Sequence, residues 1–242
     1  MFQLAIVIPC YNEESRLDEN LFIQFANKHT NILLAFVDDG STDSTLMILR
    51  SIQVQAKNNI EVITQKKNRG KGTAISTGLQ YIIREATTPY LGYLDADLST
   101  PLEELNSMLQ HLKQKQFDFI LGSRIKKLGN NIERHYFRHF SGRLIATAVD
   151  EVFKLGCYDT QCGAKLFKTS ILEDVVKEPF VTRWLFDVEL LLRIRNKYKI
   201  LNGFEYPLSN WRHVQNSKIT LFSFPMIIKE LLTLFIKYRH CS

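Results

Sequence analysis

An α/β fold with a mainly parallel central sheet flanked by helices is what this sequence predicts, and three observations predict it. Short apolar runs of strand length alternate with longer segments of helical period. The runs are continuous rather than alternating, as in strands covered on both faces. Each of the first four stops abruptly in a polar or glycine-containing cluster, the punctuation of a loop.

Leu4 to Pro9 is the first strand; it runs into Cys10-Tyr11-Asn12-Glu13, and a helix is expected from Ser15 to Lys28. Ile32 to Val37 is the second, ending in Asp38-Asp39-Gly40-Ser41-Thr42, where Ser41 or Thr42 is placed to cap a helix reaching Gln53. Ile60 to Thr64 leads into Lys66-Lys67-Asn68-Arg69-Gly70-Lys71-Gly72 and a helix from Thr73 to Glu85. Tyr90 to Leu94 ends in Asp95-Ala96-Asp97. A helix from Pro101 to Lys115 then precedes a strand, Phe117 to Leu121, that ends in Gly122-Ser123-Arg124. Residues 129–155 are basic and aromatic, then helical. Gly163 to Phe167 reads as a strand, and Trp184 to Lys197 as an amphipathic helix. One domain is expected over 1–218, with a nucleotide-binding half (1–98) and an acceptor half (99–218), followed by an amphipathic helix in 219–242.

Composition bounds the function. The chain has 242 residues, 45% hydrophobic and 23% charged, with a net charge of +6. That is globular composition with a surface suited to anions such as phosphorylated ligands or acidic lipid headgroups. Cys10, Cys157, Cys162 and Cys241 form no CxxC pair, so neither a zinc site nor a disulfide framework is expected. The opening MFQLAIVIP lacks the basic n-region of a secretory leader, and a cytoplasmic protein is expected.

In a parallel sheet, ligands bind beyond the carboxyl ends of the strands. The polar clusters after the first four strands therefore fall along one edge. Asp95 and Asp97 are the sharpest of them. Two residues apart in an extended chain, their carboxylates face the same way. Together they can share a hard divalent ion, Mg²⁺ or Mn²⁺, that takes its other ligands from a diphosphate. Asp38 and Asp39 are candidates for a base or ribose contact, or for a helix cap. The Lys66–Gly72 loop is not a Walker sequence, but its glycines let backbone approach a ligand at a helix N-terminus.

These motifs occur in the order seen in family 2 glycosyltransferases: Ile8-Pro9-Cys10-Tyr11-Asn12-Glu13, Asp38-Asp39-Gly40-Ser41-Thr42-Asp43, Asn68-Arg69-Gly70-Lys71-Gly72 and Asp95-Ala96-Asp97-Leu98. Gly122-Ser123-Arg124, Arg134-His135-Tyr136-Phe137-Arg138, Asp159-Thr160-Gln161-Cys162-Gly163-Ala164-Lys165-Leu166-Phe167 and Arg183-Trp184-Leu185-Phe186-Asp187 resemble the dolichyl-phosphate β-glucosyltransferase group more narrowly. The resemblance implies a GT-A fold with a Rossmann-like nucleotide half. It also implies a nucleotide-sugar donor with UDP-glucose favoured, a divalent metal on Asp95 and Asp97, and inverting transfer to a polyprenyl phosphate. It assigns Pro9, Tyr11, Glu13, Asp38, Asp39, Lys71, Gly72, Asp95, Ala96 and Asp97 to the donor.

A lipid phosphate is already an anion near neutrality, so its site calls for cations. Arg124, Arg134, Arg138 and Lys165 are the candidates, arginine's planar fork suiting phosphate oxygens. Asp187 is the preferred carboxylate near the acceptor, as base or positioning group, with Asp159 in reserve. Three other readings stay open: transfer to a glycan hydroxyl, a nucleotidyltransferase, and a non-catalytic nucleotide-sugar binder. No nucleic-acid partner is expected. Pro225 to Tyr238 is apolar but interrupted by Lys229 and Glu230, and is shorter than the roughly 20 residues a membrane span needs. Peripheral contact with the cytosolic face of a membrane and packing on the domain or on a second copy are equally supported by its pattern.

Overall fold

The computed structural model describes residues 1–56, 58–133, 146–212, 214 and 224–239. In chain order the elements begin β1 (Leu4–Cys10), α1 (Glu19–Lys28), β2 (Ile32–Asp38), α2 (Thr45–Gln55), β3 (Ile60–Thr64), α3 (Lys71–Glu85) and β4 (Tyr90–Tyr93). They continue through α4 (Glu104–Gln114), β5 (Phe119–Ser123), β6 (Asn131–Ile132) and the helical residues 146–153 (α5). The remainder is β7 (Lys165–Lys168), α6 (Thr169–Val175), α7 (Phe186–Tyr198), β8 (Gly203–Pro207), β9 (Asn210–Trp211) and α8 (Phe224–Tyr238). Two compact units result: unit 1 is Met1–Leu98 with Gly163–Pro179, and unit 2 is Ser99–Cys162 with Phe180–Ser242.

Unit 1 is built on five strands in the order β3-β2-β1-β4-β7. The first four are parallel, and β7 runs antiparallel to β4. Every residue of β2 is buried, and only Pro9 of β1 is partly exposed, the burial that continuous apolar strands call for. Neighbouring residues on β2 show that helices cover both faces. Phe36 meets Phe22 of α1 edge to face at 5.0 Å, whereas Val37 touches α3 at Gly78. Successive strand residues point to opposite faces, so α1 and α3 lie on opposite sides.

The expected helix starts shift for local reasons. Residues after Glu13 form a turn, Arg16 and Leu17 both donating to Glu13 O, and α1 begins only at Glu19, where the Asp18 side chain accepts from Leu21 N at 3.1 Å. Ser41 and Thr42 do not cap α2. They bond Asn12 instead, and Ser44 is the cap residue, with no side-chain bond of its own.

In unit 2, β5 pairs in parallel with β8, and Gly203 lets β8 approach the Phe119 ring. The short β6 pairs with β9. The helix expected at Trp184 begins at Phe186, and its character differs from the amphipathic expectation: Phe186 through Ile194 are all buried. Buried charge is tolerated there because Glu189 and Arg193, four apart, pair at 2.7 Å. Cys10, Cys157 and Cys162 are free thiols.

Gly78 gives this packing a test in which two effects oppose each other. Helix propensity alone makes Gly78→Ala stabilising by about 1 kcal/mol. The added Cβ, however, would meet Val7 Cγ1 at 2.4 Å and Val37 Cγ2 at 2.8 Å. Overpacking of this kind costs about 1–3 kcal/mol, so a lower urea midpoint is expected for the variant.

Candidate active site

The donor-side residues of unit 1 sit where the strands end. Three loops interlock there through polar side chains on backbone N–H groups. Asn12, at φ 50°, donates from its N–H to Ser41 Oγ at 3.0 Å, and its side-chain oxygen accepts from Thr42 N at 2.9 Å. Glu13 N–H donates to Thr45 Oγ1 at 2.7 Å, and Glu13 pairs with Arg16. Pro9 and Tyr11 are partly exposed beside them. Asp43 accepts from Thr45 and Glu14. Desolvation pushes its carboxyl up, but these bonds outweigh it and hold the pKa below the ordinary value.

Asp38 and Asp39 are both buried. Asp38 accepts from Ser41 N at 3.2 Å, the capping-type contact, while its backbone oxygen accepts from Gln65 N. The Asp39 carboxylate reaches the next loop, accepting from Arg69 N at 2.9 Å and Gly70 N at 2.8 Å. Gly40, at φ 70°, closes the same junction, since a Cβ there would lie 2.6 Å from the Lys67 backbone. The two motifs therefore form one interlocked unit, and Asp39 is its clamp. Gly70, at φ 94°, then caps α3, with Lys71 and Gly72 in its first turn.

From there Lys71 Nζ reaches Asp95 Oδ1 at 2.6 Å. Asp95 follows β4, whose final residue Tyr93 is in register with Val7. The carboxylate lies so close to Gly163 that a Cβ there would stand 2.0 Å from Asp95 Oδ2. Beyond Asp95 the chain does not stay extended: Ala96 and Asp97 form a turn, and Leu98 is left-handed at φ 51°. The alternation argument for the two carboxylates therefore does not apply, and a strained turn takes its place. Ala96 is buried, whereas Asp95 and Asp97 are both partly exposed.

Two partly exposed carboxylates are the donor chemistry that a hard divalent cation takes. Among the described residues, no group of three His, Cys, Asp or Glu side chains is placed to hold a metal. Mg²⁺ and Mn²⁺ sites of this kind take one or two carboxylates and fill the rest of the shell with phosphate oxygens and water. The Lys71–Asp95 pair is more than a third exposed on both sides, so it is worth only about 0–1 kcal/mol and opens at little cost.

In unit 2, Arg124 follows β5 and meets Asp159 in a forked pair. Nε to Oδ2 is 2.8 Å, Nη2 to Oδ1 is 2.6 Å, and the Arg124 N–H adds a third bond at 3.0 Å. Asp159 is in turn fixed by Glu205, whose carboxylate accepts from Tyr158 N and Asp159 N, each at 2.7 Å. The guanidinium also lies 5.5 Å from the Trp211 ring centroid. Asp159, expected as a reserve base, thus spends both oxygens on orienting Arg124.

Asp187 is buried in the first turn of α7. Just ahead of it, the N–H groups of Arg183, Trp184 and Leu185 donate to Glu230 of α8 at 2.9, 3.0 and 2.9 Å. Lys165, expected among the acceptor-side cations, lies in unit 1: it is fully buried on β7 with its ammonium 5.2 Å from the Tyr93 ring centroid. Arg134 and Arg138 lie outside the described residues.

Gly40, Gly163, Glu205 and Glu230 were not among the expected site residues. Gly40 directly follows an acidic pair, which is a sequence signal, whereas Gly163 lies between Cys162 and Ala164 and carries none of its own. No signal marks a carboxylate that bonds backbone some 45 residues away. Gly163→Ala pushes on the Asp95 carboxylate directly, so turnover of a sugar donor is expected to fall roughly 100-fold with the melting temperature little changed. Steady-state kinetics beside a thermal melt checks this.

Comparison with known proteins follows the same lines. The family model described as "Glycosyl transferase family 2" matches residues 5–176. A dolichyl-phosphate β-glucosyltransferase of Homo sapiens is 33% identical over 256 residues, covering 98% of this chain and 76% of the relative. That of Dictyostelium discoideum is 29% identical over 238 residues, covering 91% and 69%. Among solved structures, glucosyl-3-phosphoglycerate synthase from Mycobacterium tuberculosis, in complex with Mn²⁺, UDP and glucosyl-3-phosphoglycerate, superposes with a TM-score of 0.71 at 14% identity. It covers 98% of this chain and 80% of that one. A mannosyltransferase from Pyrobaculum calidifontis, in complex with GDP-mannose and Mn²⁺, superposes at 0.63 with 18% identity, covering 95% and 61%. At such identities the structures speak for the fold, and the family model and sequence relatives for the family: the chain is a member of glycosyl transferase family 2.

Proposed function

We propose that this chain moves a hexose, glucose before mannose, from a nucleotide sugar to a polyprenyl or dolichyl phosphate, inverting the anomeric centre, with UDP-glucose the favoured donor. The observation that carries the reading is Asp95. It is a partly exposed carboxylate at the end of a buried parallel strand, seated on Gly163 and balanced by Lys71. The lipid-phosphate class of acceptor rests on relatives of about 30% identity that are named for it.

Asp95 and Asp97 would hold Mg²⁺ or Mn²⁺, which would neutralise charge on the departing diphosphate. Lys71, released from Asp95, supplies a second positive charge to the diphosphate, at the N-terminus of α3 where anions are favoured. The Asp39 clamp fixes the Arg69–Gly70 backbone that leads into this helix. On the acceptor side, a phosphate oxygen attacks the anomeric carbon as the bond to the diphosphate breaks, and the diphosphate leaves with the electron pair. A phosphomonoester has its second pKa near about 6, so no proton has to be removed first. Arg124, held in its fork by Asp159, offers planar donors to such an anion. Asp187 is then a positioning group at the acceptor rather than an obligatory base. The reaction belongs at the cytosolic face of a membrane, where a lipid phosphate meets a soluble donor; no helix among the described residues is long and apolar enough to cross one.

Labelled UDP-glucose, a short-chain polyprenyl phosphate and Mn²⁺ test the reading. Label is expected to pass into an organic-extractable lipid phosphate sugar, whereas label on a glycan alcohol, or pyrophosphate released from a nucleoside triphosphate, contradicts it. In the same assay Asp97→Ala should abolish turnover while the far-ultraviolet circular dichroism stays unchanged. Arg124→Ala should raise the acceptor KM roughly tenfold or more and leave the donor KM in place. Arg124→Lys should not restore it, because an ammonium lacks the fork.

A further inference from the structure

β8 carries one acidic residue, Glu205, between two aromatic ones, Phe204 and Tyr206. Successive strand residues point to opposite faces. Phe204 and Tyr206 turn to α4, where the His111 ring lies 4.7 and 5.7 Å from theirs. Glu205 therefore points to the other face, where the loop after α5 meets it. Residues 155–159 belong to no helix or strand, so their N–H groups need other partners. The Glu205 carboxylate takes two of them in succession, Oε2 from Tyr158 N and Oε1 from Asp159 N, each at 2.7 Å.

Two bonds to successive N–H groups fix a backbone in direction as well as in place. The residue so fixed is Asp159, and its own carboxylate forks onto Nε and Nη2 of Arg124. That fork decides which edge of the guanidinium faces Asp159 and which is turned away from it. β8, Glu205, Asp159 and Arg124 thus form one chain of contacts inside unit 2, at least two bonds wide at each link. We propose that Glu205 is a positioning residue of the acceptor site, setting through Asp159 the edge that Arg124 presents to an acceptor phosphate.

The proposal deepens the reading given above, from which it takes Arg124 as the partner of the acceptor's phosphate. Both Glu205 oxygens are engaged by backbone, so its effect reaches the acceptor only through Asp159. Two substitutions separate reach from charge. Glu205→Gln turns one accepting oxygen into an NH₂ group that faces a backbone N–H, so one of the two bonds is lost. Glu205→Asp keeps the charge and stops one carbon short of the loop.

The first measurement uses the full chain without donor or acceptor, so that it stands apart from transfer. The chain has two tryptophans, Trp184 and Trp211, and the Arg124 guanidinium lies 5.5 Å from the Trp211 ring centroid. In a Trp184→Phe background, fluorescence emission therefore reports on Trp211 and the cation beside it. Arg124→Ala should shift that emission, Glu205→Gln should shift it the same way, and the two together should shift it no further. The second measurement is transfer to a short-chain polyprenyl phosphate with Trp184 restored. There Glu205→Gln should raise the acceptor KM roughly tenfold, leave the donor KM in place, and add nothing to Arg124→Ala. Glu205→Asp should follow Glu205→Gln, and carries both measurements if the amide variant does not fold. Wild-type Trp211 emission and a wild-type acceptor KM in these variants overturn the proposal. So does an effect of equal size with and without Arg124, since Glu205 then acts on the fold at large. A Trp211 result as expected, with no lipid phosphate sugar formed, supports the link from Glu205 to Arg124 and contradicts the acceptor reading instead.

Discussion

A carboxylate placed at the end of a buried strand has to be held where a ligand can reach it, with its charge balanced by a neighbour that can let go. In this chain that requirement falls on Asp95. The position is available only because residue 163 has no side chain: a Cβ there would stand 2.0 Å from one Asp95 oxygen and 2.6 Å from the other. Lys71 balances the charge from the first turn of α3. The remainder of unit 1 places those three residues. β4 lies beside β1 in parallel, β7 returns antiparallel to β4 two residues after Gly163, and α3 sits against β1 and β2 at Gly78.

Within each unit the loops are fixed by one repeated device, a buried or partly buried carboxylate that accepts backbone N–H groups. Asp39 takes two from the loop before α3, Glu205 two from the segment ahead of the Asp159 side chain, and Glu230 three from the start of α7. Glu104 does the same for Ser209 and Asn210, and Glu189 for Val181 and Thr182. Hydrogen bonds to ionised acceptors are stronger than neutral ones, about 1.5–3 kcal/mol net. They also orient loops that lack regular structure of their own. A scaffold of this kind keeps Arg124 in its fork with Asp159 and leaves its planar edge defined.

Much of unit 1 could be read in the sequence because a parallel sheet turns order into place. Four continuous apolar runs, each ending in a polar cluster, put the Asp38, Lys71 and Asp95 segments at strand ends before any coordinate is known. The loop interlock was not legible, since the motifs lie some 30 residues apart and each reads as an independent turn. Asp95-Ala96-Asp97 was expected to stay extended, but tertiary packing bends it into a turn with Leu98 left-handed. α7 was expected to be amphipathic, but Glu189 and Arg193, buried against each other, let its residues from Phe186 to Ile194 be enclosed on all sides. Lys165 reads as a cation in a basic half of the chain, and no periodicity in a four-residue strand signals that it is buried against Tyr93.

Under the proposed function, Asp95 would give up Lys71 and take a divalent ion when a nucleoside diphosphate arrives. Calorimetric titration of UDP into the wild type and into Asp95→Asn, each with and without Mn²⁺, reads that exchange without requiring turnover. The account predicts that Mn²⁺ strengthens UDP binding to the wild type and that this gain disappears in Asp95→Asn. A wild-type UDP affinity that is the same with and without the metal would contradict it.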